Sequence, residues 1–217
     1  MSKKHVVYFD FDNTITLFDV FDDMLLKFAV DDKWEDLEEK WKRGEIGSKE
    51  CLGGQLESIR VTKPKFDKYL DSVKIDPYFK RLLGLFRRKK VKAAILSDNF
   101  DYILKRILKI HGISRIKIYS NKAKIMGNRI IPSFPFHDKG CPRCGHCKKN
   151  NLARDIDNKG KVVYYYVGDG RSDICPSRYA DIVFAKGFLD RYLRKKRAYH
   201  VPISGLEDVY RYFKRAL

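Results

Sequence analysis

The residues with the most chemistry in them fall into a few short sets. Asp10 and Asp12 stand two apart in Phe9-Asp10-Phe11-Asp12-Asn13-Thr14, and Asp169 and Asp173 stand four apart in Gly168-Asp169-Gly170-Arg171-Ser172-Asp173. Between them lies Ser97, in Leu96-Ser97-Asp98-Asn99. Carboxylates two apart on a continued strand point the same way. Two like charges that close are costly unless a cation lies between them or they share a proton. Four carboxylates gathered in one cleft make a site for a hard divalent cation such as Mg²⁺. A basic side chain entering from another loop would complete a site for a phosphoryl group.

The elements around these sets can bring them together. Val6–Phe9, Val91–Leu96 and Val162–Val167 are apolar, β-favouring runs of the kind buried on both faces of a parallel sheet, and each runs directly into one of the polar sets. Short strands are expected at 116–119 and 182–184, and a hairpin over 122–131 around Met126-Gly127-Asn128. Helical patterns cover 78–90, 101–111, 148–157, the stretch after Gly187, and 206–216. This alternation predicts an α/β fold with a doubly wound, Rossmann-like parallel sheet, whose strand ends lie along one edge where ligands bind. Residues 16–78 break the rhythm with about four amphipathic helices and little β pattern. We therefore expect a core domain of 1–15 and 79–217 with a four-helix insertion, 16–78.

Composition narrows the function class. At 217 residues with 44% hydrophobic residues, the chain is long enough for one substantial core and too apolar for disorder. With no signal-like apolar region at the start and no run long enough to span a bilayer, a soluble cytosolic protein is expected, without a membrane partner. The formal net charge of +18 admits two readings. One is a nucleic-acid-binding or end-processing protein. The other is a charge-rich surface of the thermophile type, spread over many helices.

The order Asp-Phe-Asp-Asn-Thr, then Leu-Ser97, then a Lys at the head of a helix, then Gly-Asp-Gly-x-x-Asp resembles the haloacid dehalogenase superfamily of phosphatases. The motifs frame nearly the whole chain. The insertion resembles the four-helix cap of the phosphoserine-phosphatase-like branch. Within that branch the chain is similar to the methionine-salvage phosphatases acting on 2-hydroxy-3-keto-5-methylthiopentenyl-1-phosphate and to phosphocholine/phosphoethanolamine phosphatases. The resemblance implies a Mg²⁺-dependent phosphomonoesterase for a small phosphorylated metabolite. It implies Asp10 as nucleophile, Asp12 as general acid and base, Mg²⁺ held by Asp10, the Asp12 main-chain carbonyl and Asp169, Ser97 and a lysine on the phosphoryl oxygens, and Asp173 orienting that lysine or a metal-bound water. Both related groups carry a cysteine-rich loop just before the lysine, which selects Lys148. Thr14, Asn99 and Asp19 are expected on the substrate side, Thr14 also steadying its loop. Asp19 matches the position of a Glu that meets the substrate amine in phosphoserine phosphatases. Gln55 falls near the position where those enzymes place an Arg for the substrate carboxylate, a departure that argues against phosphoserine.

Cys141, Cys144 and Cys147 lie within one loop, with His137 upstream and His146 between them. Clustered thiols in a cytosolic chain favour metal over disulfide. A structural zinc is expected on the three cysteines and His137, with His146 as substitute. A monomer or a homodimer is expected.

Overall fold

The computed structural model describes residues 3–155 and 162–217. In chain order the elements are β1 (Lys4–Phe9), α1 (Val20–Phe28), α2 (Lys33–Arg43), α3 (Ser48–Glu57), α4 (Lys63–Ser72), α5 (Pro77–Lys89), β2 (Lys92–Phe100), α6 (Asp101–Ile110), β3 (Lys117–Met126), β4 (Arg129–Ser133), α7 (Lys148–Asp155), β5 (Val162–Gly168), a 3₁₀ turn (Arg171–Asp173) leading into the short α8 (Ile174–Ser177), β6 (Ile182–Ala185), α9 (Gly187–Lys195), β7 (Val201–Pro202) and α10 (Leu206–Ala216). The strands form one sheet in the order β4-β3-β2-β1-β5-β6-β7, parallel throughout except for the β3–β4 hairpin. This is the α/β doubly wound sheet expected from the alternation of strands and helices.

Both faces of the central strands are covered, as their unbroken apolar runs require. Val7, Phe9, Ile95 and Val167 face α5 and α10, where Phe9 meets Phe79 edge-on at 5.4 Å and Phe86 meets Phe213 at 4.9 Å between centroids. Tyr8, Leu96 and Tyr166 face the other way, onto Leu152 of α7. Each such side chain contributes about 2 kcal/mol of burial. Together they fix the register that sets the ends of β1, β2 and β5 side by side.

Four helices, α1–α4, fill the stretch between β1 and α5. The chain enters and leaves them through an isolated antiparallel bridge between Thr16 and Ile75, and a second bridge joins Ala29 to Ile59. Asp19 starts α1 as its N-cap, its Oδ1 accepting the Phe21 and Asp22 N–H groups at 3.0 Å each. Helices α2 and α3 pack so closely that a Cβ on Gly54 would lie 2.7 Å from Leu37 Cδ1.

One expectation needed correction, and one short strand had not been expected. The strand at 116–119 and the first arm of the hairpin are one element, β3, which pairs in parallel with β2 and then runs on antiparallel to β4. Polar Ser120-Asn121-Lys122 reads as a break, yet Ser120 and Asn121 are buried, and the amide of Asn121 donates to the Asp98 carbonyl at 2.5 Å, bridging the irregular end of β2. The two-residue strand β7 had too few residues to show a pattern. The expected end of α7 beyond Asp155 lies outside the described residues.

Candidate active site

The ends of β1, β2 and β5 converge. The Asp10 N–H donates to the Val167 carbonyl at 2.8 Å, which carries the β1–β5 pairing one residue past the strand. The chain then turns sharply at Asn13, whose φ of 49° is in the left-handed region that Asn tolerates better than most residues. That turn aims two side chains back at β5. Asn13 Nδ2 donates to Asp169 Oδ2 at 2.7 Å, and Thr14 Oγ1 donates to Asp169 Oδ1 at 3.0 Å.

Lys148, at the start of α7 and 2% exposed, stands at the centre of the group. Its Nζ donates to Asp10 Oδ1 at 2.7 Å, Asp173 Oδ1 at 2.8 Å and Ser172 Oγ at 2.9 Å. Of Lys148 and Lys149, it is Lys148 whose ammonium meets these carboxylates. Asp173 is saturated. Its Oδ1 also accepts the Tyr166 hydroxyl at 2.6 Å, and its Oδ2 accepts the N–H groups of Asp169 and Gly170 at 2.9 and 3.0 Å. A side chain at Gly168 would place Cβ 2.5 Å from Asp173 Oδ2, so only glycine lets this carboxylate lie against the backbone.

Burial sets the protonation balance. Loss of water, together with Asp173 and Asp169, pushes the Asp10 carboxyl up against the opposing pull of Lys148. Loss of water and Asp173 push Asp169 up to about 6. Burial opposes charge on Lys148, but Asp10 and Asp173 outweigh it and keep the ammonium protonated. The carboxylate oxygens of Asp10, Asp169 and Asp173 lie within 4.8 Å of one another. One ammonium among three such carboxylates leaves an excess of negative charge in a low-dielectric site, and hard oxygen donors at this spacing fit a divalent cation such as Mg²⁺.

Asp12 has different surroundings. Asn99 Nδ2 donates to both of its carboxylate oxygens, at 3.1 and 3.0 Å, and the Val20 N–H donates to Oδ1 at 3.0 Å. Even so, burial and then the charge of Asp19 hold its carboxyl well above the usual range. The two motif carboxylates are therefore sorted, Asp10 onto an ammonium and Asp12 onto an amide and the first turn of α1.

Of the other residues singled out from the sequence, Thr14 is buried and spends its hydroxyl on Asp169, so it steadies the loop and does not reach the substrate side. Ser97 is fully buried, its Oγ accepting the Asn99 N–H at 3.0 Å. Asn99 and Asp19 both line a cavity of about 170 Å³ that opens over Asp10, Asp12 and Asp169, beneath the inserted helices.

The zinc expectation is not supported. Among the described residues the three-carboxylate group is the sole set of three or more His, Cys, Asp or Glu ligand atoms within 4.8 Å of one another, so Cys141, Cys144, Cys147 and His137 are not assembled as ligands. Cys141 and Cys144 approach to 3.8 Å, but Cys147 is buried separately, and His137 Nδ1 is hydrogen-bonded to the Cys144 carbonyl at 2.9 Å. His146 is committed elsewhere. Its Nδ1 bonds the Ser97 carbonyl at 2.7 Å and its Nε2 bonds the Asn151 amide at 2.5 Å, which ties the cysteine loop to the end of β2. Burial lowers this imidazole to about 4. Because the folded-state value lies below the unfolded one of about 6.5, protonation favours the unfolded chain, and stability present above pH 6.5 is lost as pH falls toward 4. We expect His146→Gln to flatten a loss of about 2 kcal/mol across that window, read from chemical denaturation at pH 7 and pH 4.5.

Asn13, Tyr166, Ser172 and His146 were missed as supports of the site. Asn13, inside Asp-Phe-Asp-Asn-Thr, and Ser172, inside Gly-Asp-Gly-x-x-Asp, carried a signal that could have found them.

Residues 5–195 match the family model described as "Putative Phosphatase". A 2-hydroxy-3-keto-5-methylthiopentenyl-1-phosphate phosphatase of Brevibacillus brevis is 30% identical over 97% of this chain and 96% of its own. The chain belongs to this phosphatase family, within the haloacid dehalogenase superfamily. The polyol phosphate phosphatase PYP1 of Saccharomyces cerevisiae is 28% identical over 99% of this chain and 94% of its own. Solved structures with the same fold include a phosphoserine phosphatase described as a phospho-aspartyl intermediate analogue, with TM-score 0.73, 16% identity and coverage of 97% and 99% of the two chains. Another is the phosphoserine phosphatase of T. onnurineus, with TM-score 0.70, 20% identity and coverage of 98% and 95%. The chain is a phosphatase, and among its described residues no helix is long and apolar enough to cross a membrane.

Proposed function

We propose that this phosphatase is a Mg²⁺-dependent phosphomonoesterase that hydrolyses a small phosphorylated metabolite through an aspartyl-phosphate on Asp10. The observation that carries the reading is the sorting of the two motif carboxylates by partner, Asp10 against the Lys148 ammonium at 2.7 Å and Asp12 against the Asn99 amide at 3.1 and 3.0 Å. Burial raises both carboxyls, but only Asp10 has an ammonium in direct contact to favour the ionised form a nucleophile needs, while Asp12 meets neutral donors, which suits a general acid. The names of the bacterial and yeast relatives, both phosphatases of small phosphorylated compounds, support the substrate class.

In this reading a carboxylate oxygen of Asp10 attacks phosphorus while the bond to the ester oxygen breaks, and Asp12 gives its proton to that departing oxygen. Asp12, now a carboxylate, takes a proton from the water that attacks the acyl phosphate, which returns Asp10 and releases phosphate. Lys148 and Ser97 neutralise and hold the phosphoryl oxygens, and Asp173 fixes Lys148. Asp10, Asp169 and the Asp12 main-chain carbonyl would hold Mg²⁺, since Asp173 has four donors already. When bound, the cation offsets charge on the nucleophile and phosphate. The inserted helices, residues 16–78, serve as the cap domain over the core formed by 1–15 and 79–217.

Two results test this. Turnover of 4-nitrophenyl phosphate should vanish on chelation and return with Mg²⁺. Binding should also appear as stability. Asp169, raised to about 6 without a cation, contributes stability below its unfolded value that is lost as pH rises through 6. Mg²⁺ should therefore raise Tm more at pH 8 than at pH 5. Equal shifts at the two pH values would remove these carboxylates as the binding site.

A further inference from the structure

The wall of the cavity opposite the catalytic carboxylates is built by the inserted helices, and it offers acceptors. Glu38 and Trp41 are three residues apart on α2 and share a face, and Gln55 reaches the same cavity from α3. The Gln55 side chain is 1% exposed, and its Nε2 donates to Glu38 Oε2 at 3.2 Å and to the Trp34 carbonyl at 3.4 Å. Both neighbours are acceptors, which fixes the amide orientation and leaves Oε1, with no donor among the described residues, to face the cavity. Trp41 spends its Nε1–H on Ser48 Oγ at 3.0 Å, so its indole brings only ring surface. Asp22 lines the same wall. Loss of water there, then the charges of Asp19 and Glu38, push it up to about 7 against the pull of Lys42. Lys42 reaches Glu38 only from 3.7 Å and does not line the cavity. The sole cation among the lining residues is Arg171, on the Gly-Asp-Gly turn at the catalytic end, its guanidinium 4.3 Å over the Phe188 ring. In a chain with a net charge of +18, this wall has the opposite sign.

We propose that Glu38 and Gln55, with Trp41 on the same wall, form the subsite that reads the alcohol half of the phosphoester, and that it accepts a short alcohol carrying hydrogen-bond donors, hydroxyl or ammonium, and rejects one carrying a carboxylate. The proposal rests on the phosphomonoesterase reading above and adds the substrate class. An acceptor on the cavity wall with no protein donor is free to take one from a ligand. A site built to hydrogen-bond such a group discriminates strongly against a substrate lacking it. A carboxylate placed there would meet Glu38, Asp22 and Asp19 in a water-poor cavity. The volume of about 170 Å³ leaves room for a phosphate and a short alcohol.

The test uses four esters of matched size on the Mg²⁺-loaded full chain: 2-aminoethyl, 2-hydroxyethyl, ethyl and carboxymethyl phosphate. We expect kcat/KM for one or both donor-bearing esters to exceed that for ethyl phosphate by about tenfold or more, and carboxymethyl phosphate to fall below ethyl phosphate by a similar factor. Glu38→Gln should shrink the donor-to-ethyl ratio, and Gln55→Arg should raise carboxymethyl phosphate relative to the others. Turnover of all four with no preference, or with carboxymethyl phosphate preferred, overturns the proposal and leaves the phosphomonoesterase reading standing. No turnover of any ester, 4-nitrophenyl phosphate included, overturns both. The wild-type ratios decide the matter even if a variant fails to fold.

Discussion

Replacing Asp10 with Asn should lower kcat on 4-nitrophenyl phosphate by at least ~10⁴-fold, the scale seen when a covalent nucleophile is removed and only binding and charge stabilisation remain. Asn keeps the shape of the side chain but is too weak a nucleophile to take the phosphoryl group. The fold should survive. Asp10 is buried beside Asp173 and Asp169 with one ammonium among them, so removing its charge relieves repulsion. Without Mg²⁺, the Tm of Asp10→Asn should equal or exceed that of the wild type, as measured by thermal melts in chelator. Loss of activity together with a large loss of Tm would mean that Asp10 acts as a structural ion-pair partner.

Lys148→Met should have the largest effect on stability. Its ammonium is the buried partner of both Asp10 and Asp173, at 2.7 and 2.8 Å, and Met fills most of the stem volume while leaving two carboxyls without a cation. Removing one side of a buried pair costs about 3–5 kcal/mol. Chemical denaturation at pH 7 should show a loss of that size, reduced at pH 5, where the stranded carboxyls can protonate. Combining Lys148→Met with Asp10→Asn should cost less than the sum of the two, because the second change removes a charge that the first left unpaired. Strict additivity would contradict a shared network.

Much of this site was legible from residue types in order. Asp10, Asp12, Asp169 and Asp173 follow strands, Ser97 stands near the carboxyl end of β2, and a parallel sheet has one carboxyl edge. Lys148 was legible only through its resemblance to relatives, because two adjacent lysines at a helix start differ by about 100° in direction and composition cannot choose between them. What the sequence hid is how the site is held. Tyr166 reads as a core aromatic, and its hydroxyl bond to Asp173 arises from the strand register. Asn13 reads as turn filler, but its left-handed backbone is what lets its amide reach Asp169. The cysteine loop misled for a related reason. Spacing shows which thiols can meet, but His146 is drawn away by Ser97 and Asn151, contacts distant or neutral in sequence terms. The acceptor wall of Glu38 and Gln55 was equally hidden, since each residue alone looks like a solvated helix position.

The central claim is that the phosphoryl group passes through Asp10, and the most direct measurement is mass spectrometry of peptides from protein quenched in acid during turnover. Asp12→Asn slows release of the intermediate by removing the base, so this variant with an activated aryl phosphate should accumulate it. The account predicts one added phosphoryl group per chain, on the peptide that contains Asp10 and on that residue. Sustained turnover with the group absent, or found on any other side chain, would contradict it.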